Sequence, residues 1–133
     1  MGEDTKLKND LLYKEAIALT EDNNFDEAIE YCNDMIRNDP NDADGWDIKG
    51  ICYFALNNFS EAISCFEKVI ELDPNDELAE VCINNCLNIL QNDEMLETLN
   101  KIEKLYKTEI LTLEEYLAMR KLAFNEFHRQ TKY

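Results

Sequence analysis

An offset of 34 residues lays the chain over itself, and this repeat constrains the fold more than any other feature. Asn23-Asn24-Phe25-Asp26-Glu27-Ala28-Ile29 falls on Asn57-Asn58-Phe59-Ser60-Glu61-Ala62-Ile63, and Asp39-Pro40-Asn41-Asp42 falls on Asp73-Pro74-Asn75-Asp76. Between windows 9–42 and 43–76, thirteen of 34 positions are identical, where chance at typical residue frequencies gives about two. A fixed period of this length signals stacked supersecondary units.

Each unit predicts two helices. In the second, Trp46, Gly50, Tyr53 and Phe54 fall at helical spacing, a turn follows at Asn57-Asn58, and Phe59, Ala62, Ile63, Phe66, Val69 and Ile70 resume the spacing. Pro74 blocks continuation of that helix, and Asp76 or Asn75 can cap the next. The first unit repeats the plan with Leu12, Ala16 and Leu19, then Phe25, Ala28, Ile29, Cys32, Met35 and Ile36. If the two helices of a unit are antiparallel, Ala16 faces Ala28 and Gly50 faces Ala62, small residues that let the backbones approach. Three glycines and two prolines in 133 residues suit long helices, and an apolar fraction of 45% suits a folded core.

These residues resemble the tetratricopeptide-repeat (TPR) pattern W-x2-L-G-x2-Y…A-x3-F…P. The second unit reads Trp46-x2-Lys49-Gly50-x2-Tyr53…Ala62-x3-Phe66…Pro74, departing only at Lys49, where Ile48 is a neighbouring substitute. The first is looser: Leu12-x2-Glu15-Ala16-x2-Leu19…Ala28-x3-Cys32…Pro40. The resemblance covers residues 9–76 and implies an all-α solenoid of antiparallel helix pairs. Residues 77–90 open a third unit, with Asn84 in the slot of Ala16 and Gly50; a helical stripe of Met95, Leu96, Leu99, Ile102 and Tyr106 follows near 93–107. A last helix starts at the capping box Thr112-x-x-Glu115 and runs to about Arg129. The expected plan is seven helices: a lead at 1–8, repeats at 9–42 and 43–76, a degenerate repeat at 77–110, and a capping helix within 111–133.

The resemblance also implies a binding role. Related proteins grip a peptide or helix in a concave face lined by the first helix of each repeat. By repeat position the liners are Asp10, Tyr13, Ile17 and Glu21, then Asp44, Asp47, Ile51 and Phe54, then Leu78, Val81, Asn85 and Asn88. Family members that hold the acidic tails of heat-shock chaperones use slots filled by Lys, Asn, Asn, Lys and Arg. Here those slots hold Tyr13, Ile17, Ile48, Leu78 and Cys82, so no cation is available for a carboxylate. The expected partner has apolar anchors beside Lys or Arg. The competing expectation for Tyr13, Ile17 and Phe54 is that they merely pack the repeat interior.

The formal net charge of -16 disfavours nucleic acid and anionic lipid, and no apolar run is long enough to span a bilayer. The N-terminus lacks the form of a signal peptide. Five cysteines, an odd number with no C-x-x-C pair, suit a reducing compartment, so a cytoplasmic location is expected. Cys82 and Cys86 stand at i and i+4, but a zinc site needs about four ligands and His128 is remote. Cys86 shares its repeat slot with Ala18 and Cys52, which predicts burial as a small apolar group. No nucleophile–base arrangement or phosphate loop stands out, and the acidic pairs Glu114-Glu115 and Glu27-Glu30 fall on expected solvent faces. The chain therefore reads as a binding module with no enzymatic activity, cofactor or metal. The alternative is a homodimer in which the last helix, with Tyr116, Phe124 and Phe127 apolar and Arg120, Lys121 and Arg129 as complements to Asp44 and Asp47, occludes the groove or swaps into a second copy.

Overall fold

The computed structural model describes residues 2–130, apart from the side chains of His128 and Gln130. Among the described residues there are seven helices: α1 Glu3–Glu21, α2 Phe25–Asn38, α3 Ala43–Ala55, α4 Phe59–Leu72, α5 Glu77–Gln91, α6 Asp93–Lys107 and α7 Leu113–Gln130. They pack as sequential antiparallel pairs, with α1 on α2, α3 on α4 and α6 on α7, while α3 also meets α2 and α1. The chain divides into two compact units, 1–87 and 88–133. Most of the expected lead is helical, since α1 begins at Glu3.

The turns explain why the repeat is so legible. Asn23 and Asn57 both take φ 63°, a left-handed conformation that asparagine tolerates better than most residues. The next amide in each turn then reaches back five residues: Asn24 N–H donates to the Leu19 carbonyl and Asn58 N–H to that of Tyr53, each at 2.8 Å. Between pairs, Asp39 and Asp73 side chains accept the N–H of Asn41 and Asn75. Asp42 then accepts from the N–H of Asp44 at 3.0 Å, and Asp76 from that of Ala79 at 3.0 Å. Each Asp-Pro-Asn-Asp run is thus a stop, a turn and a start signal in four residues.

The core of the first unit is built from Ala16, Ala28, Ile29, Cys32, Ile48 and Cys52, joined by buried Phe59, Ala62, Phe66 and Val69 on α4. Ala16 and Ala28 are fully buried. The closest neighbour of Gly50 on α4 is Phe66, four residues after Ala62. A Cβ at Gly50 would lie 2.9 Å from Cζ and 3.0 Å from Cε1 of Phe66, so the glycine makes room for that ring. The first pair has Ala16 and Cys32 at the same two slots. The smaller sulfur side chain leaves space for a methyl group.

Lys49 occupies the leucine slot without breaking the pattern. Its Nζ lies 5.5 Å from the Trp46 ring centroid and 5.9 Å from that of Tyr53. Its aliphatic stem can cover apolar surface while the ammonium meets ring faces. Trp46 in turn donates Nε1–H to the Pro40 carbonyl at 3.1 Å, tying α3 to the turn before it.

The second unit is centred on Ile89, Met95, Leu99, Ile102, Tyr116 and Phe127. Its turn copies the two earlier ones in geometry: Glu109 takes φ 63°, and Ile110 N–H donates to the Leu105 carbonyl at 3.0 Å. The α6–α7 pair therefore has the same kind of joint as α1–α2 and α3–α4. Its slots are filled differently, with Ile102 and Tyr116 where the earlier pairs place Ala16 or Gly50 and Ala28 or Ala62. Asn92 caps α6 by accepting the Met95 N–H at 2.9 Å. Thr112 caps α7, its Oγ1 accepting the Glu115 N–H at 3.2 Å, as the capping-box pattern predicts.

Candidate functional site

Three helical stripes carry the candidate residues, and none of the twelve is buried. On α1, Asp10 and Glu21 are exposed, Tyr13 retains 39% of its surface, and Ile17 is half-buried against the core. On α3, Asp44 is exposed, Asp47 half-buried, Ile51 43% exposed and Phe54 half-buried. Phe54 makes an edge contact with Phe59, with centroids 5.4 Å apart. On α5, Leu78 is 77% and Val81 52% exposed, Asn85 half-buried and Asn88 exposed. Asn88 lies beyond Leu87, in the second unit. Of the three residues that could have served only as packing, Tyr13 is the most open, and Ile17 and Phe54 are half-buried.

Electrostatics connect these helices within the first unit. Burial, and after it the nearby carboxylates of Asp42 and Asp10, hold the Asp44 carboxyl above the ordinary carboxylate value. Asp47 is raised in the same way, by burial and then by Asp76 and Asp44. Cys82 on α5 is pushed up by burial and by the same Asp47 and Asp76 charges, which places it beside that acidic row. Acids from α1, from α3 and from the two Asp-Pro-Asn-Asp turns therefore share one field. Asp42 and Asp76 were not among the expected liners. They are identical across the repeat offset, a signal that the capping role alone had absorbed.

The five slots of a carboxylate clamp hold no cation. Ile48 is 3% exposed and belongs to the core, Leu78 and Tyr13 are exposed, and Ile17 and Cys82 are half-buried.

The cysteines are all free. Cys52 and Cys86 are fully buried, as their repeat slot predicts. Ala18, the third occupant of that slot, is exposed instead. The reason is packing: Cys52 faces back toward α1, its Sγ 3.7 Å from Thr20 Oγ1, whereas Ala18 sits on the first helix of the unit. Burial pushes the Cys32 and Cys86 thiols up to about 12, well away from the thiolate that reacts or binds metal. No group of three or more His, Cys, Asp or Glu among the described residues could hold a metal ion, and the side chain of His128 lies outside them. Glu27, Glu30, Glu114 and Glu115 are exposed. No described helix is long and apolar enough to cross a membrane.

In the second unit, α7 packs on α6. Burial lowers the Arg120 pKa, opposed by the favourable Tyr116 and Glu103 neighbours, and Arg120 also hydrogen-bonds Tyr116. Its guanidinium lies 5.0 Å from the Phe124 ring centroid, and Tyr116 stacks on Tyr106 with centroids 4.7 Å apart. Arg120, expected as a complement to Asp44 and Asp47, is engaged inside its own helix pair.

A family model described as tetratricopeptide repeat matches residues 15–82. A search of curated proteins finds no match to the chain.

Proposed function

The chain belongs to the tetratricopeptide-repeat family, and from that premise we propose that α1, α3 and the first turns of α5 hold a peptide or helix of another protein, one with apolar anchors beside Lys or Arg. Domains of this family generally mediate protein–protein interactions and are typically non-catalytic. The observation that carries the finer reading is a juxtaposition. Tyr13, Ile51, Leu78 and Val81 leave large apolar side chains in solvent, next to carboxylates that already repel one another.

The two features have different jobs. Burying the apolar groups under a partner supplies most of the affinity, at roughly 25 cal/mol per Å². A partner cation relieves the repulsion among Asp10, Asp44, Asp47 and Asp76, so charge steers the encounter and rejects acidic peptides. The test is titration of the intact chain with two peptides that share apolar anchors but carry either lysines or glutamates. The lysine peptide binds and weakens as salt rises, and the glutamate peptide does not bind. Equal binding of both, or affinity independent of salt, removes electrostatics from the account.

A further inference from the structure

The chain's own stacking marks which face of a repeat receives the repeat before it. Ile48 and Cys52 share a core with Ala16, Ala28, Ile29 and Cys32. A Cβ at Gly45 would lie 3.2 Å from Ile36 and 3.3 Å from Met35. Positions 45, 48 and 52 are therefore the stacking face of the second pair. Moved back by 34 residues, they become Leu11, Lys14 and Ala18 on α1, all exposed, Leu11 at 66%. Because α1 begins at Glu3, the stripe continues one turn further to Leu7, 60% exposed. The spacing 7, 11, 14, 18 is that of a helix–helix seam.

Two more observations say what fits there. Beside Leu11 lies a cleft of about 410 Å³, walled by Leu11 and Leu12 and rimmed by Lys8 and Arg37 with Glu15 and Asp34. Arg37 pairs with Asp34. Projecting leucines next to a socket on one surface are what a two-fold interface needs, since each copy must supply both knob and hole. The charge agrees. Around the seam Lys8 and Lys14 stand against Glu15, and Arg37 is paired with Asp34, a nearly neutral surface, whereas the whole chain has a net charge of -16. Two copies meeting through this face escape the repulsion that opposes most other approaches. The opposite signs of Lys8 and Glu15 can pair across an antiparallel seam.

We propose that this face joins two copies of the chain through α1, with the Leu11 of each copy seated in the cleft of the other. The interface is separate from the peptide-binding face and does not depend on it. Molar mass of the intact chain, measured by light scattering or sedimentation from micromolar to several hundred micromolar, tests it. The expected mass rises from 15.6 kDa toward twice that value. Leu7→Glu with Leu11→Glu should weaken association at least tenfold while leaving the helical circular dichroism intact. Lys8→Glu should weaken it, and adding Glu15→Lys should restore it. A mass of 15.6 kDa at every concentration overturns the proposal. So does a dimer that survives the double leucine substitution, or one lost only on Leu122→Glu in α7. Should the leucine variant lose helicity, the charge pair decides: a dimer indifferent to Lys8→Glu also overturns it.

Discussion

Asn9 Nδ2 donates to Asp42 Oδ2 at 2.8 Å, while the other oxygen of that carboxylate accepts the N–H of Asp44 at 3.0 Å. Asn9 is 6% exposed. It also donates to the Met35 carbonyl at 3.1 Å and accepts from Asn38 Nδ2 at 3.1 Å. One side chain thus ties α1 to the end of α2 and to the cap of α3. Asn9→Ala leaves the Met35 carbonyl and part of the Asp42 carboxylate without these donors, so it should cost about 1–3 kcal/mol. Asp42→Ala removes the cap as well, a further loss of about 1 kcal/mol. Chemical denaturation of both variants and of the double mutant checks the coupling. Strictly additive losses would contradict the shared network.

Gly50 and Phe66 form a second coupled pair. Alanine is the better helix former by about 1 kcal/mol, yet Gly50→Ala should destabilise the chain by about 1–3 kcal/mol. The new methyl would stand 2.9 Å from the ring. At the equivalent position Ala16 is tolerated because Cys32 replaces the ring. Phe66→Cys should therefore reduce the cost of Gly50→Ala, which thermal melts of the four-member cycle will show. A stabilising Gly50→Ala would sink the packing argument.

Glu109 holds a left-handed backbone where Asn23 and Asn57 do so in the other two joints. Glu109→Gly should stabilise the second unit by up to about 1 kcal/mol, because relief of a left-handed residue, about 1–2 kcal/mol, exceeds the entropy glycine adds to the unfolded chain, about 0.5–1 kcal/mol. Hydrogen exchange of α6 and α7 amides gives the local readout. Protection that stays the same or falls in the variant would rule out strain at this turn.

These three sites also mark where the sequence is informative. The first four helices are legible because their signals are local and repeated: Asn23 and Asn57 at left-handed turns, Asp-Pro-Asn-Asp between pairs, and small residues at 16, 28, 50 and 62. The α6–α7 joint lacks each of those repeated signals and is legible only from the apolar stripe of α6 and the Thr112 capping box. Glu109 stands for asparagine, Ile102 and Tyr116 stand for small residues, and the connection spans 108–112 where the earlier ones span 22–24 and 56–58. Asn9 is invisible to periodicity, since its partners come from a helix end and a loop. Gly50 reads correctly as a close approach, but only the geometry identifies the Phe66 ring as what approaches. For the candidate site, repeat position finds side chains that reach solvent, whereas the contribution of Asp42 and Asp76 to the acidic row depends on where two loops lie.

The acidic row should leave a pH signature. Asp44 and Asp47 have folded-state pKa values raised above 3.8. The folded chain therefore binds these protons more tightly than the unfolded chain, and stability contributed by these two groups falls as pH rises through the carboxylate range. At neutral pH both are ionised at a cost. Asp47→Asn should raise the melting temperature at pH 7, and the gain should shrink as pH drops below the ordinary carboxylate value. A gain that grows on acidification would reverse the sign and refute the assignment.

The central claim is that an apolar face with an acidic flank selects its partner by charge. Its most direct measurement is calorimetric titration of a lysine-bearing apolar peptide into the intact chain and into Asp44→Asn with Asp47→Asn. The account predicts binding to the intact chain that weakens at least tenfold in the variant, together with a flatter salt dependence. Identical affinities and identical salt slopes for the two proteins would contradict it.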